Sequence, residues 1–537
     1  MSGCICTRRC FRRPLRGQSL WPANARLSIR ADVSGGVLTP SLARGRRPLS
    51  FEVFKEFRYA SHGELRPDTT RQLVIGGTMS LSNHCNTPQG ARTSLLKQFT
   101  SLAIPTILSG WVYTIYTLID GIFIGRYVGQ QALAALNLVV PLLYIPYAFS
   151  VMVGVGGATL IARLLGERRN AEARRAFSQV LWVMLASGIA MSAGVLVFKH
   201  EIAAALGAQA AITNDIVAYL SGWAWFILFA NGLYAMELFL RVEGSRAARF
   251  GLYAMFLGAL ANVALDYWLI AVRGMGLYGA SLATGISMMV SSSAMLAYHV
   301  WLAHKVVPAA RAFGGGSLHV WRAMYNGASE FLDAIAPAVT VFAFNRVILA
   351  NFGEPGLAAY AILEYMTLGA TVTIVALAQS MQPMISFHRG ARDMRAQRES
   401  FRLGVMAVMG FSMLVAVAMA TLARPLTFAF LPAGGEAWSI LEHAVLWCAL
   451  AILPAAGNLI VAGFLTAVEA PGPSAAIAML RSWVLLLGTL WLLNAWLGGA
   501  AIWYTLLITE MVTLAISVWL YWRNVRNERG LAPLPVR

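Results

Sequence analysis

Residues 133–162 read LAALNLVVPLLYIPYAFSVMVGVGGATLIA, a stretch without a single charged side chain. A helix needs roughly 20 apolar residues to cross the hydrocarbon part of a bilayer, and this stretch is longer. Residues 475–493 form a second apolar stretch that approaches the same length. Because lipid supplies no hydrogen-bond partners, a backbone that crosses it must pair its own N–H and C=O groups, as a helix does. Both stretches therefore predict membrane-spanning helices.

The composition of the whole chain agrees with this prediction. Only 12% of the 537 residues are charged and 58% are hydrophobic, whereas soluble globular proteins have about 25% charged residues. Clusters of Gly, Pro and charged residues divide residues 97–523 into twelve apolar segments. These segments are predicted at residues 100–125, 131–163, 175–198, 214–241, 249–272 and 277–303 in the first half, and at residues 321–350, 355–387, 401–423, 437–467, 474–494 and 499–523 in the second.

The distribution of positive charge predicts the orientation in the membrane. Half of the net charge of +18 belongs to residues 1–78. Elsewhere Arg and Lys are concentrated in alternate loops, which is typical of cytoplasmic loops rather than of a nucleic-acid-binding surface. We therefore expect cytoplasmic termini and no nucleic-acid partner. The predicted inner loops include Arg168, Arg169, Arg174, Arg175, Arg246, Arg249, Arg392, Arg395, Arg398 and Arg481, whereas the outer side has Arg126, Lys199, Arg273, Arg346 and Arg424.

Residues 1–96 are predicted to form a basic, disordered N-terminal extension, and Met79 is an alternative start of translation. The extension lacks the apolar core of a signal peptide. Cys4, Cys6 and Cys10 are close in sequence, but no Cys or His pair follows them at the spacing of zinc ligands. No metal site is therefore predicted in this extension.

An internal repeat relates the two halves at a constant interval along the chain. GQQALAA at residues 129–135 corresponds to GEPGLAA at residues 353–359. Each half has an even number of helices, so the halves face the same way and are expected to be related by an axis along the membrane normal, with a substrate path between them. The predicted fold is an all-α polytopic membrane protein with twelve transmembrane helices in two pseudo-symmetric six-helix lobes. Its parts are an N-lobe at residues 97–304, a linker at 305–320, a C-lobe at 321–523 and a cytoplasmic tail at 524–537.

Carboxylates inside the spans are the candidate functional groups, because charge in the bilayer is costly and usually retained for function. Asp266 follows Asn262 by one helical turn, so both face the same side of one helix. A carboxylate with an amide oxygen suits a small hard cation, and the carboxylate alone suits a proton. Asp120, in the first helix, is a second candidate. The alternatives are a polar packing pair for Asp266 and an interfacial carboxylate for Asp120.

The second half lacks counterparts of these two acids. The position that corresponds to Asp120 is Phe344, and segment 474–494 contains no acid that corresponds to Asp266. A coupling-ion site is therefore predicted in the N-lobe. Other acids are predicted to face a central cavity and attract a cationic substrate, with packing or a wet cavity wall as the alternative; they are Glu330, Glu364 and Glu510. Asp333 is a further candidate, and Glu442 is expected to be a solvated residue near an outer helix end.

Motifs for other functions are absent from the sequence. There is no G-x-x-x-x-G-K-[ST] phosphate loop and no H-E-x-x-H zinc motif. An ion gradient is the remaining energy source, so the sequence predicts a secondary transporter rather than an enzyme, with no cofactor besides a coupling ion.

Several motifs follow one another in order: LIDGIFIG at residues 118–125, VGQQALAALN at 128–137, LRVEG at 240–244, NVALDY at 262–267 and GLYGASLAT at 276–284. This series resembles the multidrug and toxic compound extrusion (MATE) transporters over nearly all of residues 97–523. The resemblance implies two lobes around a V-shaped cleft. It also implies antiport of organic, often cationic, compounds against Na⁺ or H⁺.

The resemblance further implies an N-lobe cation site. Asp120, Asn262, Asp266 and Thr284 match four of its members, and on the fourth helix either Asn231 or Glu237 corresponds to the fifth. The expected protein is a monomeric exporter of small organic molecules in the bacterial inner membrane. A flippase for lipid-linked precursors is the alternative, although spans nearly free of basic residues count against it. A membrane-embedded lipid-modifying enzyme is less favoured.

Overall fold

The computed structural model describes residues 88–206, 210–309, 319–430 and 435–530. The predicted N-terminal extension lies outside these residues, apart from residues 88–96. The alternative start at Met79 and the three N-terminal cysteines also lie outside them. Part of the predicted linker and the end of the predicted tail also lie outside them.

The N-lobe contains six helical spans, which are named α1 to α6 in chain order. They are α1 (Pro88–Phe123 with the π-turn Ile124–Val128), α2 (Gln130–Gly166), α3 (Asn170–Ala205), α4 (Ala210–Trp223, Ala224–Phe226 and Ile227–Glu243), α5 (Ser245–Asp266 with Tyr267–Val272) and α6 (Gly276–Trp301). A short connector helix, His319–Asn326, leads to the C-lobe.

The C-lobe begins with one helical stretch of 63 residues, Ala328–Gly390. The rings of Phe344 and Tyr360 stack within it at 5.5 Å between centroids. In a straight helix, residues 16 positions apart are separated by about 24 Å. The stretch therefore folds back on itself, and it does so at Gly353, where φ is 61°. Residues 328–352 form α7 and residues 354–390 form α8.

The remaining spans of the C-lobe are α9 (Met394–Thr421), α10 (Glu436–Ala467), α11 (Pro471–Met479, Leu480–Val484 and Leu485–Leu497) and α12 (Gly499–Tyr504 and Thr505–Gly530). Eleven stretches of the described chain are long and apolar enough to cross a membrane. Because Ala328–Gly390 contains two spans, the total is twelve. The predicted polytopic all-α fold is confirmed.

The repeat is visible in the backbone as well as in the sequence. Positive φ angles, which glycine adopts at lower cost than other residues, recur at turns separated by the interval of the sequence repeat. The pairs are Gly129 (115°) with Gly353 (61°), Arg168 (61°) with Arg392 (57°), and Gly274 (63°) with Gly498 (78°). The two lobes therefore turn their chains in the same way at corresponding positions.

The lobes meet where the C-terminal ends of α2 and α8 cross, on the side that is predicted to face the cytoplasm and is called the inner side here. A Cβ atom at Gly166 would collide with the carbonyl oxygen of Phe387, and a Cβ atom at Gly390 would collide with that of Arg163. These two contacts are related by the interval of the repeat, so the crossing lies on the pseudo-twofold axis. Glycine at both positions allows the backbones to approach this closely.

Candidate functional site

Two buried carboxylates of the N-lobe lie near each other. Asp120 on α1 is 8% exposed and Asp266 on α5 is fully buried, and they are close enough for their charges to interact. The phenol groups of Tyr116 and Tyr219 are within electrostatic range of both. The structure thus brings together the two acids that the sequence singled out, and it adds two tyrosines that the sequence did not.

The register of α5 and α6 places Thr284 beside Asn262. The hydroxyl of Ser291 donates to the carbonyl of Ala254 at 3.0 Å, and a Cβ atom at Gly258 would meet Ser291 and the carbonyl of Ser287. In an antiparallel pair, one turn forward on one helix corresponds to one turn back on the other. Asn262, one turn after Gly258, therefore faces the turn of α6 that contains Thr284.

The polar atoms of this cluster are mostly unpartnered. Among the described residues, neither carboxylate oxygen of Asp266 has a hydrogen-bond partner, and the same holds for Asp120 Oδ1, both amide atoms of Asn262 and Thr284 Oγ1. Burying such groups without partners is costly. A proton on a carboxylate, or a small hard cation held by carboxylate, amide and hydroxyl oxygens, removes that cost. The residues present therefore fit a coupling ion.

Asn231 and Glu237 lie deeper than this cluster. Gly222 on α4 packs against Ser281 on α6, and Phe226 on α4 packs against Gly285 on α6. Both pairs are 59 positions apart in the sequence, so the two helices run parallel. Residue 225 of α4 is therefore level with Thr284 of α6. At 1.5 Å per residue, Asn231 is about 9 Å and Glu237 about 18 Å further toward the inner side.

Both residues of α4 also have partners of their own. The amide nitrogen of Asn231 donates to the carbonyl of Met184 at 3.1 Å and to Ser187 Oγ at 2.9 Å. Glu237 pairs with Arg241 at 2.9 Å. The structure does not bring either into contact with the pair of aspartates.

The C-lobe has a different kind of polar centre, built around Arg481 on α11. Its guanidinium contacts Glu510 at 2.9 Å and Asp333 at 3.6 Å, and Asn458 Nδ2 donates to Glu510 Oε2 at 2.7 Å. The expectation that Arg481 lies in an inner loop is wrong, because it follows Pro471 by about 15 Å of helix. Arg481 is therefore an exception to the expectation that the spans are nearly free of basic residues. Two carboxylates reduce the cost of burying this guanidinium.

Glu510 thus forms an ion pair with Arg481. The other two predicted cavity acids lie within electrostatic range of residues of the N-lobe. Glu330 accepts a hydrogen bond from Gln382 Nε2 at 3.3 Å and lies within electrostatic range of Tyr147 on α2. Glu364 is exposed and within electrostatic range of Tyr144 on α2. Glu442 pairs with Arg424 at 2.7 Å.

Tyrosines of the N-lobe line the side that these acids face. Ring centroids are 4.6 Å apart for Tyr147 and Tyr234, 5.7 Å for Tyr113 and Tyr234, and 5.2 Å for Tyr113 and Tyr116. This cluster was not predicted from the sequence. Its signal was the spacing of three residues between Tyr113 and Tyr116 and between Tyr144 and Tyr147, which puts each pair on one helix face.

Comparison with known proteins supports the repeat and the fold. The MatE family profile matches twice, at residues 105–268 and 338–491, once in each lobe. Multidrug export protein MepA of Staphylococcus aureus strain N315 is 23% identical over 437 residues, which are 80% of this chain and 94% of the relative. The match to MepA of Staphylococcus saprophyticus, also 23% identical, covers 55% of this chain and 65% of that relative.

Solved structures share the architecture. A mutant of the Vibrio cholerae MATE transporter VcmN superposes with a TM-score of 0.75 at 20% identity, covering 82% of this chain and 99% of that one. A transporter of the MOP superfamily from Pyrococcus furiosus gives 0.74 at 21% identity, covering 81% and 97%. At these identities the structures establish the fold, and the profile that matches both lobes establishes the family. The chain therefore belongs to the MatE family, a family of membrane transporters rather than enzymes.

Proposed function

We propose that this protein is a secondary antiporter that exports organic cations in exchange for Na⁺ or H⁺. Its place would be the bacterial inner membrane, as a monomer with both termini in the cytoplasm. The names of the S. aureus and S. saprophyticus relatives support multidrug export. The excess of Arg in alternate loops supports the orientation.

The observation that carries the proposal is the cluster of unpartnered polar atoms around Asp266 and Asp120. A coupling ion would be held by Asp120, Asn262, Asp266 and Thr284, and it supplies the positive charge or proton that these groups lack. An ion that binds one arrangement of the lobes more tightly than the other shifts the equilibrium between them. Coupling between ion and substrate then follows from their competing preferences for the two arrangements.

A cationic substrate is supported by the surroundings of Glu330 and Glu364. Both acids lie within electrostatic range of tyrosines of α2. Carboxylates attract a cation, and aromatic faces stabilise one by about 0.5–2 kcal/mol each. Glu510 is a weaker candidate for substrate contact, because Arg481 neutralises it.

The test is transport of a fluorescent organic cation such as ethidium into inside-out vesicles, whose lumen corresponds to the cell exterior. A lumen that is acidic, or rich in Na⁺, is imposed separately. We expect uptake with one of the two gradients and its loss in Asp266→Asn. Glu442→Gln, which removes an acid at a helix end far from the cluster, is the matched control and should transport at the wild-type rate. Undiminished uptake by Asp266→Asn would exclude the site.

A flippase for lipid-linked precursors is the second candidate, because Arg481 lies within a span and arginine binds phosphate. Its pairing with Glu510 and Asp333 counts against a phosphate ligand. Absence of ethidium uptake under both gradients, with movement of a lipid-linked pyrophosphate in the same vesicles, would favour the flippase.

A further inference from the structure

The inner ends of the two lobes are joined by one carboxylate. Glu469 lies in the turn between α10 and α11 of the C-lobe. Its Oε1 is 2.6 Å from Nε of Arg163 on α2, and its Oε2 is 2.8 Å from Nη2 of Arg322 on the connector helix. The side chains of Glu469 and Arg163 are only 11% and 18% exposed, so this ion pair is weakly screened by solvent, whereas Arg322 is 57% exposed and its pair is screened more.

Both arginines belong to the N-lobe side of this contact. Arg163 is part of α2, and the connector helix that carries Arg322 packs on the N-lobe. The backbone N–H of His319 donates to Gln179 Oε1 on α3 at 2.8 Å, and a Cβ atom at Gly156 on α2 would collide with the carbonyl of Ala323. Glu469 thus reaches from the C-lobe to two arginines fixed on the N-lobe.

The backbone of Glu469 has a conformation that is costly for a residue with a side chain. Its φ is 52°, in the left-handed region where a residue other than glycine is strained. The corresponding turn of the N-lobe, between α4 and α5, has Gly244 with φ of 134°. Glycine would relieve the strain at residue 469 but would remove the contact with Arg163 and Arg322.

We infer that Glu469, Arg163 and Arg322 form a latch that holds the cytoplasmic side of the interlobe space closed and that opens once in each transport cycle. The inference rests on the proposed function for its role in a cycle. Arg163 also lies 3.2 Å from Glu167 on its own helix. When the latch opens, Arg163 therefore keeps Glu167 as its partner, and the guanidinium of Arg322, whose side chain is 57% exposed, is left to solvent.

The latch is tested by measuring the separation of the inner ends in the purified full chain. Spin labels are attached to cysteines at Ala171 on α3 and Arg398 on α9, in a background without the native cysteines, and distances are measured by pulsed electron spin resonance in lipid nanodiscs. The variants are Glu469→Gly, which also relieves the backbone, and Glu469→Gln, which removes only the charge. Arg392→Gly is the matched control, since it relieves a positive φ at an exposed inner turn and leaves the latch intact.

We expect both Glu469 variants to raise the population with a long inner distance about fivefold, the effect of losing one modest ion-pair coupling, and Arg392→Gly to leave it unchanged. An unchanged distribution in both variants, or a change in Glu469→Gly alone, would overturn the latch. The measurement does not depend on the substrate. Failure of the wild-type protein to transport ethidium would overturn the proposed function and leave the latch standing.

Discussion

At the scale of single residues, the buried carboxylates fall into two groups according to their partners. Glu510 contacts Arg481 and Asn458, so its charge is neutralised and its oxygens are hydrogen-bonded. Asp266 is fully buried, and within the described chain its oxygens have no hydrogen-bond partner. The first arrangement stabilises a fixed structure, whereas the second depends on whatever ion or proton enters it.

Replacing Asp266 by Asn should therefore stabilise the ion-free protein. Removal of an uncompensated buried charge is expected to increase the free energy of unfolding by about 1–3 kcal/mol. Thermal unfolding in detergent without Na⁺ at alkaline pH, where no proton neutralises the carboxylate, measures this, and we expect a higher Tm for Asp266→Asn than for the wild type. Glu442→Gln serves as control, with a Tm close to that of the wild type, because surface ion pairs contribute about 0–1 kcal/mol. A lower Tm for Asp266→Asn would contradict this description of the site.

Replacing Arg481 by Met should have the opposite effect. It leaves Glu510 and Asp333 buried without their cation, which is expected to cost about 3–5 kcal/mol of stability. The double variant Arg481→Met with Glu510→Gln should recover most of this loss, since the charge and its partner are removed together. A double-mutant cycle based on thermal unfolding measures the coupling. Additive effects of the two substitutions would show that the pair does not interact.

At the scale of helices, close contacts depend on the absence of side chains at particular positions. Gly166 and Gly390 allow α2 and α8 to cross at the inner side, where any Cβ atom would meet a carbonyl group. A sequence shows which residues are glycine, but it does not show which of them lie against another backbone. The repeat supplied part of this information, because Gly166 and Gly390 occupy corresponding positions in it.

Gly166→Ala should push α2 away from α8 and destabilise the protein by about 1–3 kcal/mol, as overpacking of a tight interface does. Gly410→Ala on α9 is the matched control, because nothing lies within 4 Å of the added Cβ atom. Alanine is the better helix former by up to about 1 kcal/mol, so the control should be as stable as the wild type or slightly more. The Tm values of the two variants measure this difference in stability. Equal Tm values would contradict the close approach of the α2 and α8 backbones at Gly166.

At the scale of the whole molecule, the sequence predicted the number of spans well because each needs its own apolar stretch, and the long stretch Ala328–Gly390 divides at Gly353 as predicted. Helical spacing alone places Asp266 and Asn262 on one face of α5, and both side chains are buried. It could not predict the environment of Arg481, since Asp333, Glu510 and Asn458 come from three other helices. Glu469 was missed for the same reason: its partners are far away in the chain, and even Arg322 precedes it by 147 positions.

The orientation of the whole molecule is still a prediction. Single cysteines at Ala171 and Glu436, both exposed, lie at opposite ends of the spans. In intact cells, a membrane-impermeant maleimide should label the cysteine at Glu436, and the cysteine at Ala171 should react only after the membrane is opened. Labelling in the reverse order would invert the topology and place the Glu469 contact on the outer side.

The crossing at Gly166 has a mechanical consequence. Gly166 is the last residue of α2, which has 37 residues and is therefore about 55 Å long. Gly327, immediately before α7, lies against the carbonyl of Met152 on α2, so the helix is a lever whose fulcrum extends from residue 152 to its end. The arm from residue 152 to residue 130 is about 33 Å long, and a rotation of about 10° swings its far end by about 6 Å. The same fulcrum cannot widen the side on which it lies, so opening toward the cytoplasm requires a second pivot nearer the opposite end of the helix.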